Sequence, residues 1–345
     1  MSEALYRKYR PKNFADVVGQ DHVIKVLEAE TKSGNISHAY LFSGTRGTGK
    51  TSVARIFAES IGTSQNDIYE IDAASNTSVD DIRALNESVF TLPFESKYKV
   101  YILDEAHMLS KSASNALLKT LEEPPTHVIF ILATTETHKI PETVLSRCEV
   151  YTFKKPNQEV LKKIVVNIAK KEGSTIDDAS AELIALLGDG SFRDTQGILQ
   201  KILVYSKDKK ITEDEVRLVT GAPTVDLVHN VVSAISDKDL EAGLSAVKTA
   251  VSQNIDMSVF LKLILHTSRS VLLVRFGGVS LVKEILGDRE FNFVNELARK
   301  DQAFSSGVLV DLLEAYEKTT VSYISQLPLE LALIKIIGET KVGSK

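Results

Sequence analysis

The segment Gly44-Thr45-Arg46-Gly47-Thr48-Gly49-Lys50-Thr51 follows an apolar run, Ala39-Tyr40-Leu41-Phe42, and precedes a helical pattern. Strand, glycine loop and helix, in that order, form the context that a phosphate-binding P-loop requires. Its glycines let backbone N–H groups fold around phosphates, and a helix beginning near Lys50 aims its positive end at them. In that arrangement Lys50 reaches the β- and γ-phosphates and Thr51 offers its hydroxyl to Mg2+. Thr45, Thr48 and Ser52 complete the expected phosphate cradle.

A second chemical anchor is Val100-Tyr101-Ile102-Leu103-Asp104-Glu105-Ala106-His107. Consecutive β-formers bounded by carboxylates read as a strand buried in a parallel sheet, with chemistry at its carboxyl end. Asp104 is placed to hold Mg2+, directly or through water, and Glu105 to orient the attacking water. This is the hydrolytic form of phosphoryl transfer, where positioning and charge stabilisation supply most of the rate. A third strand, Val128-Ile129-Phe130-Ile131-Leu132-Ala133, ends at Thr134-Thr135-Glu136, where a hydroxyl between the other two strand ends could meet the γ-phosphate or the water. Arg147 lies in Leu145-Ser146-Arg147-Cys148, just before a further strand, Glu149-Val150-Tyr151-Thr152-Phe153. Arg193 falls in the first turn of a helix announced by the capping box Ser191-Phe192-Arg193-Asp194. Arginine suits charge that develops on a transferring phosphoryl group.

Elements enough to hold such a site are available. At 345 residues, with 43% hydrophobic and 25% charged residues, the chain has a sizeable core and is expected to divide into two or three domains of ~100–200 residues each. The amino-terminal segment has no apolar signal region, and the apolar stretch around Val259 to Phe276 is interrupted by Lys262, His266, Arg269 and Arg275. Neither secretion nor membrane spanning is indicated, so a cytoplasmic location and no membrane partner are expected. A single cysteine, Cys148, excludes an intrachain disulfide and a thiolate metal cluster. A net charge of −5 argues against a surface coated for DNA binding; contact with nucleic acid must be local or shared among subunits.

Together these residues resemble the AAA+ ATPases of sliding-clamp loaders, most closely the bacterial DNA polymerase III gamma/tau family. The opening Tyr6-Arg7-Lys8-Tyr9-Arg10-Pro11, continuing to Val17-Val18-Gly19-Gln20, is similar to that family's amino-terminal signature. So are Glu70-Ile71-Asp72-Ala73-Ala74-Ser75-Asn76, the helix from Asn115 to Glu123 with Pro124-Pro125, and Ser146-Arg147-Cys148. The resemblance is strong from residue 3 to about 221 and weaker beyond. It implies that Tyr9, Arg10, Pro11, Val17 and Val18 help frame the adenine. It further implies that Thr135, rather than Thr134, is the residue sensing the γ-phosphate, and that Arg193 reaches the nucleotide from a lid in the same chain. Arg147 would be an arginine finger inserted into the neighbouring subunit's site, which makes hydrolysis depend on assembly. Cys148 is read as a small packed residue.

One departure concerns metal. The family usually carries a four-cysteine zinc module between the P-loop helix and the Glu-Ile-Asp-Ala-Ala-Ser segment, whereas here Glu59 to Tyr69 fills that interval without cysteine. ATP and Mg2+ are the expected cofactors, and zinc is not. The replication factor C small subunits also lack the module. For DNA, the expected contacts are to phosphates, from Asn76, Thr77, Ser78 and Arg83 and from Ser110, Lys111 and Ser112, each of which could equally be a cap or a solvated loop residue.

The fold class expected is α/β: a P-loop parallel sheet sandwiched by helices over 1–155, a helical lid over 156–221 and an all-helical collar over 222–345. Lys155-Pro156-Asn157-Gln158 marks the first boundary and Gly221-Ala222-Pro223 the second. Helical patterns run over Val225–Ser236, Leu240–Gln253, Met257–Val274, Gly307–Ile324 and Pro328–Ile337, the last apolar nearly all round and therefore buried in its own domain or against a partner. The end of the chain soon afterwards resembles the short gamma form. The function so implied is an ATPase motor subunit of the clamp loader. Its expected partners are other loader subunits in a pentameric-type ring, including copies of itself, the sliding clamp and primer-template DNA. The alternatives are a nucleotide-binding structural subunit of a replication factor C-like ring and another AAA+ DNA motor, such as a branch-migration helicase. The latter should end in a winged helix, for which the carboxyl-terminal third has no strand-hairpin pattern.

Overall fold

The computed structural model describes residues 3–75, 79–300 and 304–338. Its chain divides into two compact units, Met1–Ile176 with Ala181–Leu203 and Asp177–Ser180 with Val204–Lys345.

The first unit is built on a five-stranded parallel sheet. Its strands are β1 (Ala39–Ser43), β2 (Ile68–Asp72), β3 (Lys99–Asp104), β4 (Val128–Thr134) and β5 (Glu149–Thr152), in the spatial order β2-β3-β4-β1-β5. β4 therefore lies between the P-loop strand and the Asp-Glu strand, as the sequence suggests. The register is in step at the carboxyl ends: Ser43 pairs with Thr134 and with Thr152, and Asp72 with Asp104. Every loop that leaves the sheet at this edge is thus delivered to one crevice.

Side chains alternate between the faces of each strand, and both faces are covered. On one face Tyr40, Phe42, Val100, Ile102, Ile129 and Ile131 pack with Val53 and Phe57 of the P-loop helix Lys50–Ser60 and with Val23 and Leu27 of helix Asp21–Ser33. On the other, Leu41, Tyr101, Leu103, Phe130 and Leu132 meet Ile82, Leu85, Leu117 and Leu121 from helices Val79–Ser88 and Lys111–Glu122. Helices Gln158–Lys171 and Phe192–Tyr205 follow the sheet. Ser191 caps the second of these by accepting from Asp194 N at 3.2 Å.

The second unit is helical apart from a short strand, Lys210–Ile211, that the sequence expectation of helices alone did not include. Helix Met257–Arg275 is long and apolar enough to cross a bilayer, but Phe260, Leu261, Ile264 and Val271 are wholly buried in a cluster with Val231, Leu312, Leu329, Leu333 and Ile337. Two details differ from the sequence expectation. The helix beginning at Ser306 ends at Thr319 rather than Ile324; Thr319, Thr320 and Val321 are β-branched, and Ser322 Oγ donates to Ile324 O, which favours a turn. The closing apolar segment is an α-helix only over Leu327–Leu333 and continues as a π-turn over Ile334–Gly338. Leu329, Leu333 and Ile337 are buried, whereas Leu331 is half exposed, so one face faces outward.

A half-buried carboxylate ties the first unit's edge together. Glu30 of helix Asp21–Ser33 accepts from Tyr40 on β1 at 2.8 Å and from Tyr151 on β5 at 2.5 Å. Burial, then the hydrogen bond to Glu30, pushes both phenols above their ordinary range. Because these folded-state values are raised, the stability they confer is present below the unfolded-chain value of about 10 and is lost as pH rises above it. A Tyr40→Phe/Tyr151→Phe double variant should lose about 1–3 kcal/mol at neutral pH and show a flatter fall in stability on the alkaline side. Urea unfolding of both proteins from about pH 8 to 11 would check this; parallel curves would contradict it.

Candidate nucleotide site

The P-loop leaves β1 at Gly44 and turns through three left-handed glycines, Gly44 (φ 149°), Gly47 (φ 74°) and Gly49 (φ 100°). Two of them are also confined by space. A Cβ on Gly44 would stand 2.5 Å from the carbonyl oxygen of Phe153, and one on Gly47 would stand 2.0 Å from Ser191 Oγ. Phe192 N donates to Gly47 O at 2.9 Å, so the cap of helix Phe192–Tyr205 lies directly against the loop. Thr48 Oγ1 closes the turn on Thr45 O at 2.9 Å. Gln20, wholly buried, clasps Lys154 through both its amide groups, donating to its O at 2.7 Å and accepting from its N at 3.0 Å, and donates to Thr48 O at 3.4 Å. This clasp gives the Val-Val-Gly-Gln segment a structural task that its sequence did not reveal.

Lys50 is 6% exposed. Its ammonium donates to two loop carbonyls, Gly44 O at 2.7 Å and Thr45 O at 2.9 Å. Burial, with Arg193 adding to it, lowers the proton affinity of Lys50 against the opposing fields of Glu105 and Asp104. Arg10 is lowered likewise, first by burial and then by Arg55, with Arg193 contributing and Glu70 and Asp104 opposing. Two cations, the buried Lys50 and the half-buried Arg10, each within the field of Arg193, make a pocket that a polyanion would relieve. Backbone N–H groups at the start of the P-loop helix supply the matching dipole. These residues therefore fit a nucleoside triphosphate.

At the end of β3, Asp104 Oδ2 accepts from Thr51 Oγ1 at 2.8 Å. A hydroxyl and a carboxylate so placed are a suitable oxygen pair for Mg2+. Glu105 is itself in the left-handed region (φ 49°), an uncommon setting for a residue with a Cβ, and its Oε2 accepts from Thr135 Oγ1 at 3.0 Å. Thr134, by contrast, is fully buried and faces His107 at 3.2 Å. Residues Lys50, Thr51, Asp104, Glu105 and Thr135, distant in sequence, thus stand together at the carboxyl edge of the sheet.

The remaining candidates occupy varied settings. Arg10 Nε donates to Ser52 Oγ at 3.0 Å, which brings the amino-terminal segment onto the P-loop helix. Tyr9 donates to Glu172, and Pro11 is partly buried. Val17 packs against the core while Val18 is 45% exposed. Arg193 lies over the Tyr6 ring, 5.5 Å from its centre. Arg147 stands apart from these, bound to Glu122 at 2.5 Å and to Thr143 O at 2.6 Å. Cys148 is packed on the core, and burial pushes its thiol up to about 12, in keeping with an inert role. Among the DNA candidates, Ser110 is the cap of helix Lys111–Glu122, Lys111 and Ser112 are exposed on its first turn, and Arg83 is exposed. Asn76, Thr77 and Ser78 lie outside the described residues.

A P-loop, an Asp-Glu strand and an intervening threonine-tipped strand on this sheet define an AAA+ P-loop protein. The fold is shared with Thermotoga maritima RuvB, the Holliday junction branch migration motor, at a TM-score of 0.53 and 24% identity over 66% of this chain and 79% of that one. The family model for DNA polymerase III, delta subunit, matches residues 19–76 and 62–157. DNA polymerase III subunit tau of Bacillus subtilis is 36% identical over 97% of this chain and 63% of its own length. Subunit gamma/tau of Mycobacterium tuberculosis H37Rv is 38% identical over 79% of this chain and 51% of its own. The chain is a homologue of the DNA polymerase III gamma/tau subunits, and it spans between about half and two thirds of the length of these relatives.

The loop geometry yields a direct test. Gly44→Ala meets a backbone oxygen that cannot step aside, so affinity for a fluorescent ATP analogue should fall about tenfold or more, a loss of ~1.4 kcal/mol or greater. Titration of wild type and variant would measure it, and unchanged affinity would contradict the steric reading.

Proposed function

We propose that this chain is an ATPase motor subunit of a DNA polymerase III clamp loader, in which ATP binding and hydrolysis drive the opening of a sliding clamp and its placement on primer-template DNA. The observation that carries the reading is the convergence of Lys50, Thr51, Asp104, Glu105 and Thr135 at one sheet edge in a homologue of the gamma/tau subunits. A subunit with only a structural task would have no need of all five.

In this reading the P-loop amides and Lys50 bind the phosphates, while Thr51 and Asp104 hold Mg2+. The metal, when bound, neutralises charge on the β- and γ-phosphate oxygens. Glu105 orients and polarises water in line with the γ-phosphorus, and Thr135 fixes the Glu105 carboxylate through the hydrogen bond already present. Arg193 meets the phosphates from the same chain, and the Tyr9-Arg10-Pro11 and Val17-Val18 segments border the base. Arg147 acts in trans: assembly would draw it from Glu122 into a neighbouring site, so that turnover depends on the ring. Other loader subunits, further copies of this chain, the clamp and DNA phosphates are the proposed partners, with residues 1–155, 156–221 and 222–345 serving as motor, lid and collar in a cytoplasmic assembly.

Steady-state ATP hydrolysis, measured with and without primer-template DNA and the cognate clamp across protein concentration, tests the reading. Turnover should rise with both additions and with concentration. Lys50→Ala should abolish nucleotide binding. Arg147→Ala should keep binding and lower stimulated turnover by about 10³-fold or more. Binding without stimulated turnover in an assembled complex would favour a structural subunit, and normal turnover by the Arg147 variant would sink the trans assignment.

A further inference from the structure

His107 lies on the short turn Ala106–Met108 that follows Glu105, and its side chain is 6% exposed. Nδ1 is 3.2 Å from Thr134 Oγ1 and 3.5 Å from Glu105 Oε2, and Nε2 is 3.2 Å from Glu136 Oε1. The Thr134 hydroxyl also accepts from Glu136 N at 3.0 Å. These distances fit one closed arrangement of protons on a neutral ring. A neutral ring with its proton on Nε2 gives the Glu136 carboxylate a donor, and Nδ1 then accepts from the Thr134 hydroxyl, which itself accepts from the Glu136 amide. The circuit then closes: Glu136 N–H to Thr134, Thr134 O–H to His107, His107 Nε2–H to Glu136. The opposite tautomer would set a bare Nε2 against a carboxylate oxygen, acceptor against acceptor.

Thr135 sits between Thr134 and Glu136, the two residues this circuit grips. Its hydroxyl donates to Glu105 Oε2, the same oxygen that faces Nδ1. In the Nε2–H form Nδ1 has no proton to offer that oxygen, so Thr135 is its donor and Oε1 is left to meet water. The other charged groups here are Asp104 and Lys50 near Glu105, and His138 and Lys139 beside Glu136. We propose that His107 is a positioning residue for ATP hydrolysis: through its circuit with Thr134 and Glu136 it fixes the end of β4, and thereby aligns Thr135 and the Glu105 carboxylate for attack. The inference rests on the ATPase reading given above.

The test uses the full chain assembled with its partner subunits. His107→Ala should lower kcat about tenfold to hundredfold, while KM and the affinity for a fluorescent ATP analogue stay within about threefold. His107→Gln, whose amide donates to Glu136 and whose carbonyl accepts from Thr134, should recover most of that kcat. His107→Phe fills the space without the hydrogen bonds and should behave as Ala, which preserves the comparison if the Ala variant fails to fold. Unchanged kcat in the Phe variant, or a change confined to KM, overturns the proposal. A second readout is independent of turnover: 15N NMR of the imidazole in the analogue-bound protein at about pH 8, identified by the signal missing from His107→Gln, should report the neutral Nε2–H tautomer. An Nδ1–H tautomer or an imidazolium overturns the circuit. Wild-type protein without any turnover would instead refute the ATPase reading, and the tautomer would still judge the circuit.

Discussion

A buried ammonium is the constraint around which the first unit is arranged. Lys50 is removed from water yet hydrogen-bonded to the carbonyl oxygens of Gly44 and Thr45, which carry only partial charge. Such a cation is costly to bury unless an anion arrives. The loop can present it only because Gly44, Gly47 and Gly49 adopt left-handed backbone, and it can adopt that course only because Phe153 and Ser191 shape its outer wall. Phe153 and Ser191 are therefore parts of the phosphate site, although neither side chain supplies a phosphate ligand. Packing, register and electrostatics converge on one site suited to negative charge.

The sheet gives that site its chemical groups. Parallel strands in matched register finish together: Ser43 pairs with Thr134, and Leu103, just before Asp104, pairs with Leu132. Glu105 then departs from ordinary backbone geometry at once, with φ at 49°. Holding a residue with a side chain there costs of order 1–3 kcal/mol, and a well-packed surrounding must sustain it. Leu103, Ala106 and Leu132 do so from the core beneath. In that conformation the carboxylate accepts from Thr135, just past the end of β4.

Much of this was legible in the chain itself. Continuous apolar runs such as Val128–Ala133 announce strands covered on both faces, and β4 indeed lies buried throughout. The P-loop and the Asp-Glu pair are local words in the sequence, so spacing alone finds them. What periodicity does not carry is pairing between distant residues. Gln20 with Lys154, Arg10 with Ser52, Tyr9 with Glu172 and His107 with Glu136 depend on how elements meet after folding. His107 was in plain view beside the Asp-Glu pair; the usable signal was a lone titratable residue facing the polar tip of the neighbouring strand, Thr134 to Glu136. The late helices were blurred for a different reason. Apolar residues all round a segment erase the contrast that locates its ends, so the π-turn at Ile334–Gly338 and the stop at Thr319 had no sequence marker beyond a few β-branched residues.

The resting place of Arg147 has a consequence for how an assembly of such chains would behave. Its guanidinium is bound to Glu122, a pair in which both partners remain partly exposed, at 32% and 50%. Pairs of this kind are worth only ~0–1 kcal/mol. Glu122 is therefore a holster and not a lock. With the bond to Thr143 O it keeps a long cationic side chain folded against its own chain, and in the proposed assembly it would yield that side chain to a stronger negative charge from a neighbour. Under the proposed trans role of Arg147, the threshold for activation would be set by how near a neighbour's anion comes, since the restraint to be broken is a small one.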